Sequence, residues 1–330
     1  MNSLKRQAGL LLLCLAVVLS ACGDQQNGML SMASSEVPFI YAECNVGTQG
    51  TLIVANEAGY YAEYPIIGAT AAAMNDKLCV SPSRRAYVSQ STIAYSSSSE
   101  DYSSWSSQDM TVGVTGFAAT PAGDFMLRND QADPLYIFQK DTGLWSSAGK
   151  QSPTPQLVRL FYSDLYHKLF ICDDDSGSAR LYELAPTPTL KDTASYAIPL
   201  SRIFMAEHAG GFYIGNDSGG LYLNGVFIGA LTGGVEALSY AVVSPTEIFA
   251  GNYWSSDPQR LFRLVDGEFV AELVFSGGGF VALHPLPPDK LIIGLGSTSS
   301  SDGLYVYNFK KGLLKQLSTR PVYAVYCPAR

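Results

Sequence analysis

The fold class this sequence predicts is all-β, a closed seven-bladed β-propeller of four-stranded blades, and three observations predict it. Short apolar runs bounded by Gly, Asp, Asn and Ser recur from Phe39 to the carboxyl end, with no amphipathic helical period. A Leu-aromatic motif returns at Leu135-Tyr136, Leu181-Tyr182, Leu221-Tyr222, Leu261-Phe262 and Leu304-Tyr305, its leucines 46, 40, 40 and 43 residues apart. That interval matches the ~40–50 residues of a four-stranded blade. The chain ends also complement each other: PVYAVYCPAR reads as a first strand with no successor, and FIYAEC, TLIVAN and YYAEYPI read as second, third and fourth strands. Pairing of the carboxyl-terminal strand with the amino-terminal strands completes one blade and removes exposed sheet edges.

Taken in order, residues 1–21 read as an export signal. Lys5 and Arg6 precede an apolar run from Gly9 to Leu19, too short for a membrane span of about 20 residues. The run closes on Leu19-Ser20-Ala21-Cys22, which resembles the lipobox of bacterial lipoproteins. The resemblance implies cleavage before Cys22, lipidation of its sulfur and anchoring of the following domain to a membrane of the cell envelope. Gly23 stands where the enterobacterial sorting rule would place Asp for inner-membrane retention, so the resemblance points to the outer membrane of a Gram-negative host. Residues 22–36 are the lipidated cysteine and a small, polar tether. Residues 37–330 form a single propeller domain.

Within that domain, blades are expected near 69–114, 116–148, 157–199, 203–231, 235–275 and 280–318, the composite blade making seven. Asp289–Ser318 shows the pattern most plainly: KLIIGLG, GLYVYN and LLKQLS are three strands separated by Ser/Gly/Asp and Lys-Lys-Gly turns. In the second unit ATAAAMN, KLCVSPS and RAYVSQS are expected as successive strands. SSSSEDYSSWSSQ, Ser96 to Gln108, reads as a low-complexity mobile loop in which Tyr102 and Trp105 are candidate contacts. SGGGF at Ser276 to Phe280 reads as a loop between blades.

Removing residues 1–21 takes away Lys5 and Arg6 and no acid, so the formal charge moves from −8 to −10. This balance excludes nucleic acid as a partner, since that binding needs basic groups to displace counterions. It also disfavours adhesion to anionic headgroups. Cys44, Cys79, Cys172 and Cys327 remain besides Cys22, without C-x-x-C spacing. Export permits disulfides among them, and buried free thiols fit equally well. A Cys44–Cys327 bridge across the composite blade is disfavoured, because antiparallel pairing puts the two at opposite ends of their strands.

Loops joining second to third strands should gather on one acidic, hydroxyl-rich face. They carry Asp130, Asp217, Asp257 and Asp302, with Tyr253 and Trp254 as aromatics, and these six residues are the candidate ligand or partner face. Turn geometry alone accounts for many Asp, Asn, Ser and Gly residues; Trp254 beside polar neighbours suits a sugar ring or a partner side chain. Asp173, Asp174 and Asp175 are a weak calcium candidate, departing from the EF-hand loop by Gly177 at the fifth position and Leu184 at the twelfth. No other cofactor is expected. His167, His208 and His284 fall at first-to-second strand hairpins of three different blades. There they read as structural residues, not ligands of one metal.

No nucleophile elbow, zinc-protease helix or phosphate loop occurs. The function expected is therefore a noncatalytic binding or assembly module for an envelope protein or glycan. The alternative is a propeller enzyme of lyase, lactonase or quinoprotein type, with Asp130, Asp173, Asp217, Asp257 and Asp302 converging on the central channel.

Overall fold

The computed structural model describes residues 37–72, 77–98, 101–110, 113–121, 123–128, 135–148, 157–163, 165–175, 178–184, 189–194, 204–216, 218–233, 235–296 and 302–328, with the backbone alone for some of them, Asp173–Asp175 and Tyr253–Asp257 included. Among these residues every regular element is a β-strand. The signal, Cys22 and the tether lie outside the described residues.

Strands β1 (Ile40–Val46), β2 (Gln49–Ala55) and β3 (Tyr61–Pro65) form one sheet. β4 (Lys77–Val80), β5 (Ala86–Gln90), β6 (Ile93–Ser98) and β7 (Asp101–Asp109) form the next; β8 (Val114–Thr120), β9 (Gly123–Arg128), β10 (Leu135–Gln139) and β11 (Leu144–Ser147) a third. A fourth holds β12 (Leu157–Ser163), β13 (Lys168–Asp175), β14 (Ser178–Leu184) and β15 (Thr189–Ala194). The remaining strands are β16 (Phe204–His208), β17 (Gly211–Gly215), β18 (Gly220–Leu223), β19 (Val226–Ala230), β20 (Glu236–Ser244), β21 (Glu247–Val265), β22 (Glu268–Leu286), β23 (Lys290–Gly296), β24 (Gly303–Asn308), β25 (Leu313–Ser318) and β26 (Val322–Tyr326). β16 to β25 are linked as one ten-stranded sheet, and β26 joins the first in the order β26-β1-β2-β3.

Burial follows position in each sheet. The middle strands β2, β23 and β24 are near-continuous apolar runs buried on both faces, whereas β25, LLKQLS, is mostly exposed. Ile40, Ile53, Ile292, Leu304, Val306 and Val322 pack as one core between β1, β2, β23, β24 and β26. Gly294 makes that contact fit: a Cβ there would lie 2.5 Å from Val322 Cγ1. β26 pairs with β1 antiparallel, Tyr41 opposite Tyr326 and Cys44 opposite Val322. Cys327 thus lies beyond the far end of the ladder from Cys44, and Cys44, Cys79 and Cys327 are buried free thiols. Burial pushes the Cys79 thiol up to about 12, so it stays protonated.

Four expectations are corrected. The second unit begins at β4, one strand later than predicted: residues 66–72 form no strand, because Gln49 Nε2 donates to Ile66 O (2.7 Å) and Ala69 O (3.2 Å) while Asn45 brackets the backbone of Ala72. The serine-rich stretch is the β6–β7 hairpin, apart from residues 99–100, which lie outside the description. Its aromatics hold it: Tyr102 is fully buried and donates to Arg84 O at 2.8 Å, and Trp105 Nε1 donates to Tyr102 O at 2.8 Å. SGGGF runs within β22, where Gly278 and Gly279 pair with Pro258 and Trp254. Lacking side chains, these glycines let the two backbones approach with irregular register. The calcium candidates Asp173, Asp174 and Asp175 lie in strand and not in a loop, since they pair with Arg180, Ala179 and Ser178.

Candidate functional site

Asparagine builds two of the second-to-third strand turns. Asn216 Oδ1 accepts from Gly220 N (2.9 Å), and Asn252 Oδ1 accepts from Arg260 N (2.6 Å) while its Nδ2 donates to Pro258 O (3.1 Å). Much of the polar composition of this end is therefore turn chemistry, as the sequence suggested.

Of the six predicted face residues, Asp130 and Asp217 lie outside the described residues. For Tyr253, Trp254 and Asp257 the backbone alone is described, as it is for the calcium candidates Asp173–Asp175. That backbone is informative: Tyr253 and Trp254 pair with Phe280 and Gly279, so the aromatic pair extends a strand and does not sit at the tip of a free loop. Asp302 is 8% exposed at the start of β24, folded in and not displayed.

The sequence reading missed a shallow polar groove of about 540 Å³ lined by Tyr61, Glu63, Gln316, Ser318, Thr319 and Arg320. It lies between the outer strands β3 and β25, beside the segment leading to β26. Since Leu304 pairs with Ser318, it opens at the same end of its sheet as Asp302. Arg320 grips Glu63 with two bonds, Nε to Oε1 at 3.0 Å and Nη2 to Oε2 at 3.3 Å. Tyr61 OH donates to Glu63 Oε1 at 2.5 Å and meets Ser318 Oγ at 3.1 Å. Burial, then the bond to Glu63, pushes the Tyr61 phenol up to about 12. Burial works to raise the Glu63 pKa, but the bonds from Arg320 and Tyr61 and the Arg320 charge outweigh it and hold the carboxyl below its ordinary value. The groove thus carries a matched ion pair ringed by donors and acceptors. Such a surface suits a neutral hydrogen-bonding ligand better than an ion of one sign. Tyr61, Glu63 and Arg320 look ordinary in sequence; the one signal is that GTLIVANEAGYYAEYP and GLYVYNFKKGLLKQLS, the two stretches the groove lies between, align with each other.

The histidines fall on separate elements. His167 is an exposed turn residue with φ of 52°, His208 ends β16, and His284 lies within β22 beside the ring of Tyr326, centroids 5.1 Å apart. Burial drives the His284 pKa down to about 4. No group of three or more His, Cys, Asp or Glu side chains positioned to hold a metal occurs among the described residues. A buried pair joins the second and third sheets: Tyr87 OH donates to Asp124 Oδ2 at 2.5 Å, and burial raises the pKa of both groups.

No protein family matches this sequence, and no curated protein matches it either. Solved structures do resemble its fold. A protein of Bacteroides uniformis described as a 6-phosphogluconolactonase superposes with a TM-score of 0.59 at 14% identity, over 89% of this chain and 100% of that one. The β-propeller domain of Cps50 (Swd1) from Myceliophteria thermophila gives 0.59 at 9%, over 82% and 93%. The dihydro-heme d1 dehydrogenase NirN gives 0.52 at 13%, over 84% of this chain and 65% of that one, so this chain spans under two thirds of its length. At such identities the likeness is one of fold, and the fold is that of a β-propeller. The neighbours carry different descriptions, a lactonase, a dehydrogenase and a β-propeller domain, so fold alone selects no chemistry.

Proposed function

We propose that this chain is a lipid-anchored, closed seven-bladed propeller that serves as a noncatalytic binding or assembly module for a protein or glycan of the cell envelope. Seven units of four strands support the blade count once β21 and β22 are each divided near their middles, β21 then supplying the second and third strands of one unit and β22 the fourth strand of that unit and the first of the next. Closure is supported by succession: β26 packs on β4, β4 on β8, β8 on β12, β12 on β16, β16 on β20, β20 on β22, and β22 back on β26. The Lys5/Arg6, apolar run and Leu19-Ser20-Ala21-Cys22 signal supports anchoring through Cys22, with the outer membrane as the destination in a Gram-negative host.

The observation that carries the binding half is the groove of Tyr61, Glu63, Gln316 and Arg320, whose β25 side lies towards the end of the domain where Tyr253, Trp254 and Asp257 lie on the irregular β21–β22 ladder and whose Tyr61 lies beside the β2–β3 turn. Hydrogen-bonding planar side chains beside a half-exposed tyrosine suit a polyhydroxyl ligand or a polar protein surface. The lactonase and dehydrogenase neighbours favour an enzyme only by fold analogy.

In the native host, crosslinking and affinity purification of the full-length protein is expected to recover a dominant envelope protein or glycan. The Trp254→Ala, Asp257→Ala variant should lose it by about tenfold, the order expected for interface aromatics. Equal recovery with the variant, or no enriched species, overturns the binding reading and turns attention to substrate screening.

A further inference from the structure

The chain enters the domain at a defined end. Ile40 pairs with Ala55, so β1 begins beside the β2–β3 turn, residues 56–60, opposite the β1–β2 turn and, with it, the end that carries the acidic second-to-third strand loops. Direct contacts link that turn to others. Glu57 receives Lys290 Nζ on Oε2 (2.8 Å) from the start of β23, just after the β22–β23 turn, and Glu57 O receives Lys315 Nζ (2.8 Å) from near the β24–β25 turn. Lys310, on the β24–β25 turn, pairs with Glu247 at the start of β21, which also takes Arg263 Nη2 at 2.5 Å. Gly229 of β19 lies under the β21–β22 turn, where a Cβ would come 2.9 Å from Gly267 O. These turns therefore share one end of the domain with the incoming chain.

That end displays apolar side chains that the propeller core does not use. Val226 and Phe227 open β19 at 67% and 55% exposure, Leu313 opens β25 at 62%, and Leu314, Val265 and Val270 are exposed beside them. Each group flanks a turn whose glycine, Gly225, Gly267 or Gly312, has positive φ. Residues 310–316, KKGLLKQ, are all exposed. Lysines and acids alternate here: Lys290, Lys310, Lys311 and Lys315 stand against Glu57, Glu247, Asp266, Glu268, Glu272 and Asp289, so no single charge dominates.

Only residues 23–39 separate Cys22 from β1. Seventeen residues, taken as a random coil, have a mean span of about 20–25 Å, against about 50 Å for the diameter of a domain of this size. An anchor so short holds the end where the chain enters near the bilayer. We propose that this turn-lined end rests on the phospholipid surface, with Val226, Phe227, Leu313 and Leu314 entering the boundary between headgroups and acyl chains. The contact is apolar and nearly insensitive to salt, and it points the acidic loops away from the membrane.

The proposal rests on the lipid-anchor reading, and the experiment separates the two. Full-length protein is purified and reconstituted in phosphatidylethanolamine/phosphatidylglycerol vesicles, with the mass of the Cys22 adduct measured first. An environment-sensitive fluorophore is placed on an introduced cysteine at Leu313, at Phe227, or at Ser218, which is exposed at the opposite end of the Phe227 sheet. Spin-labelled lipid should quench the Leu313 and Phe227 probes at least about threefold more than the Ser218 probe, and Leu313→Ser with Leu314→Ser should weaken quenching at Phe227. Equal quenching at the two ends, or none at Leu313 with Cys22 acylated, overturns the docking surface while the anchor stands. An unacylated Cys22 overturns the anchor, and quenching in that sample still decides the surface.

Discussion

Where β23 and β24 meet β1, β2 and β26, the packing is aliphatic and its rim is charged. Ile40, Ile53, Ile292 and Val322 fill the interior, and Lys290–Glu57 and Arg320–Glu63 edge it. Where β5 meets the sheet of β8 to β11, the packing is aromatic: Tyr87, Phe117, Phe138 and Trp145 cluster with centroids 5.3–6.1 Å apart, Arg85 stands over Phe138 at 5.0 Å, and the Tyr87–Asp124 bond is buried among them. The two contacts differ in what they must overcome. Lys290 and Glu57 are 233 residues apart in the chain, Tyr87 and Asp124 only 37. The longer closure costs about 1.5 kcal/mol more in chain entropy. The seam between the chain ends offsets this with a main-chain ladder, β26 on β1, as well as side-chain packing. The β4–β7 and β8–β11 sheets share no ladder and meet mainly through side chains, with a main-chain bond from Val114 N to Ser91 O at 3.3 Å.

That contrast can be broken first at the seam core. Ile292→Ala, at a position with no exposure, is expected to lower stability by about 2–5 kcal/mol in urea denaturation. A loss below about 1 kcal/mol would mean the ladder, not the aliphatic core, holds the ends together. A smaller effect comes from acid. His284 sits at the seam against Tyr326 with its pKa lowered from 6.5 to about 4, so as pH falls the unfolded chain takes the proton first. Stability is full above about 6.5 and is lost down to about 4, by roughly 2–3 kcal/mol. His284→Gln should flatten that part of the profile, and an unchanged profile would remove His284 from the seam's account. Smallest is Tyr87→Phe, expected to cost about 1–2 kcal/mol by leaving Asp124 without its phenol donor. Differential scanning calorimetry of this variant beside Ile292→Ala compares the two kinds of contact, and a larger loss for Tyr87→Phe would reverse their order.

Much of the fold was legible because strands leave local marks. KLIIGLG and GLYVYN appear as β23 and β24 within a residue of the expected bounds, and the return of PVYAVY to FIYAEC was visible because each end lacked its partner strand. The serine-rich hairpin was misread because Ser scores as loop, while what holds β7 is the burial of Tyr102 against Arg84 and Tyr41, residues 18 and 61 positions away. NYWSSDPQ and SGGGF were each read as loops because neither shows strand alternation alone; only their mutual pairing makes them strand. The groove was invisible for the same reason, since Glu63 and Arg320 are 257 residues apart and each is unremarkable by itself.

The sequence by itself determined an all-β repeat, its period and the complementary chain ends, because strand alternation and turn residues are properties of neighbours along the chain. Tertiary structure alone decided that Asp302 turns inward, that Tyr253 and Trp254 extend a ladder, that Glu63 and Arg320 meet, and that Leu313 and Phe227 emerge at the end where the chain enters. Those outcomes depend on which segments pack side by side, and only the folded chain sets that.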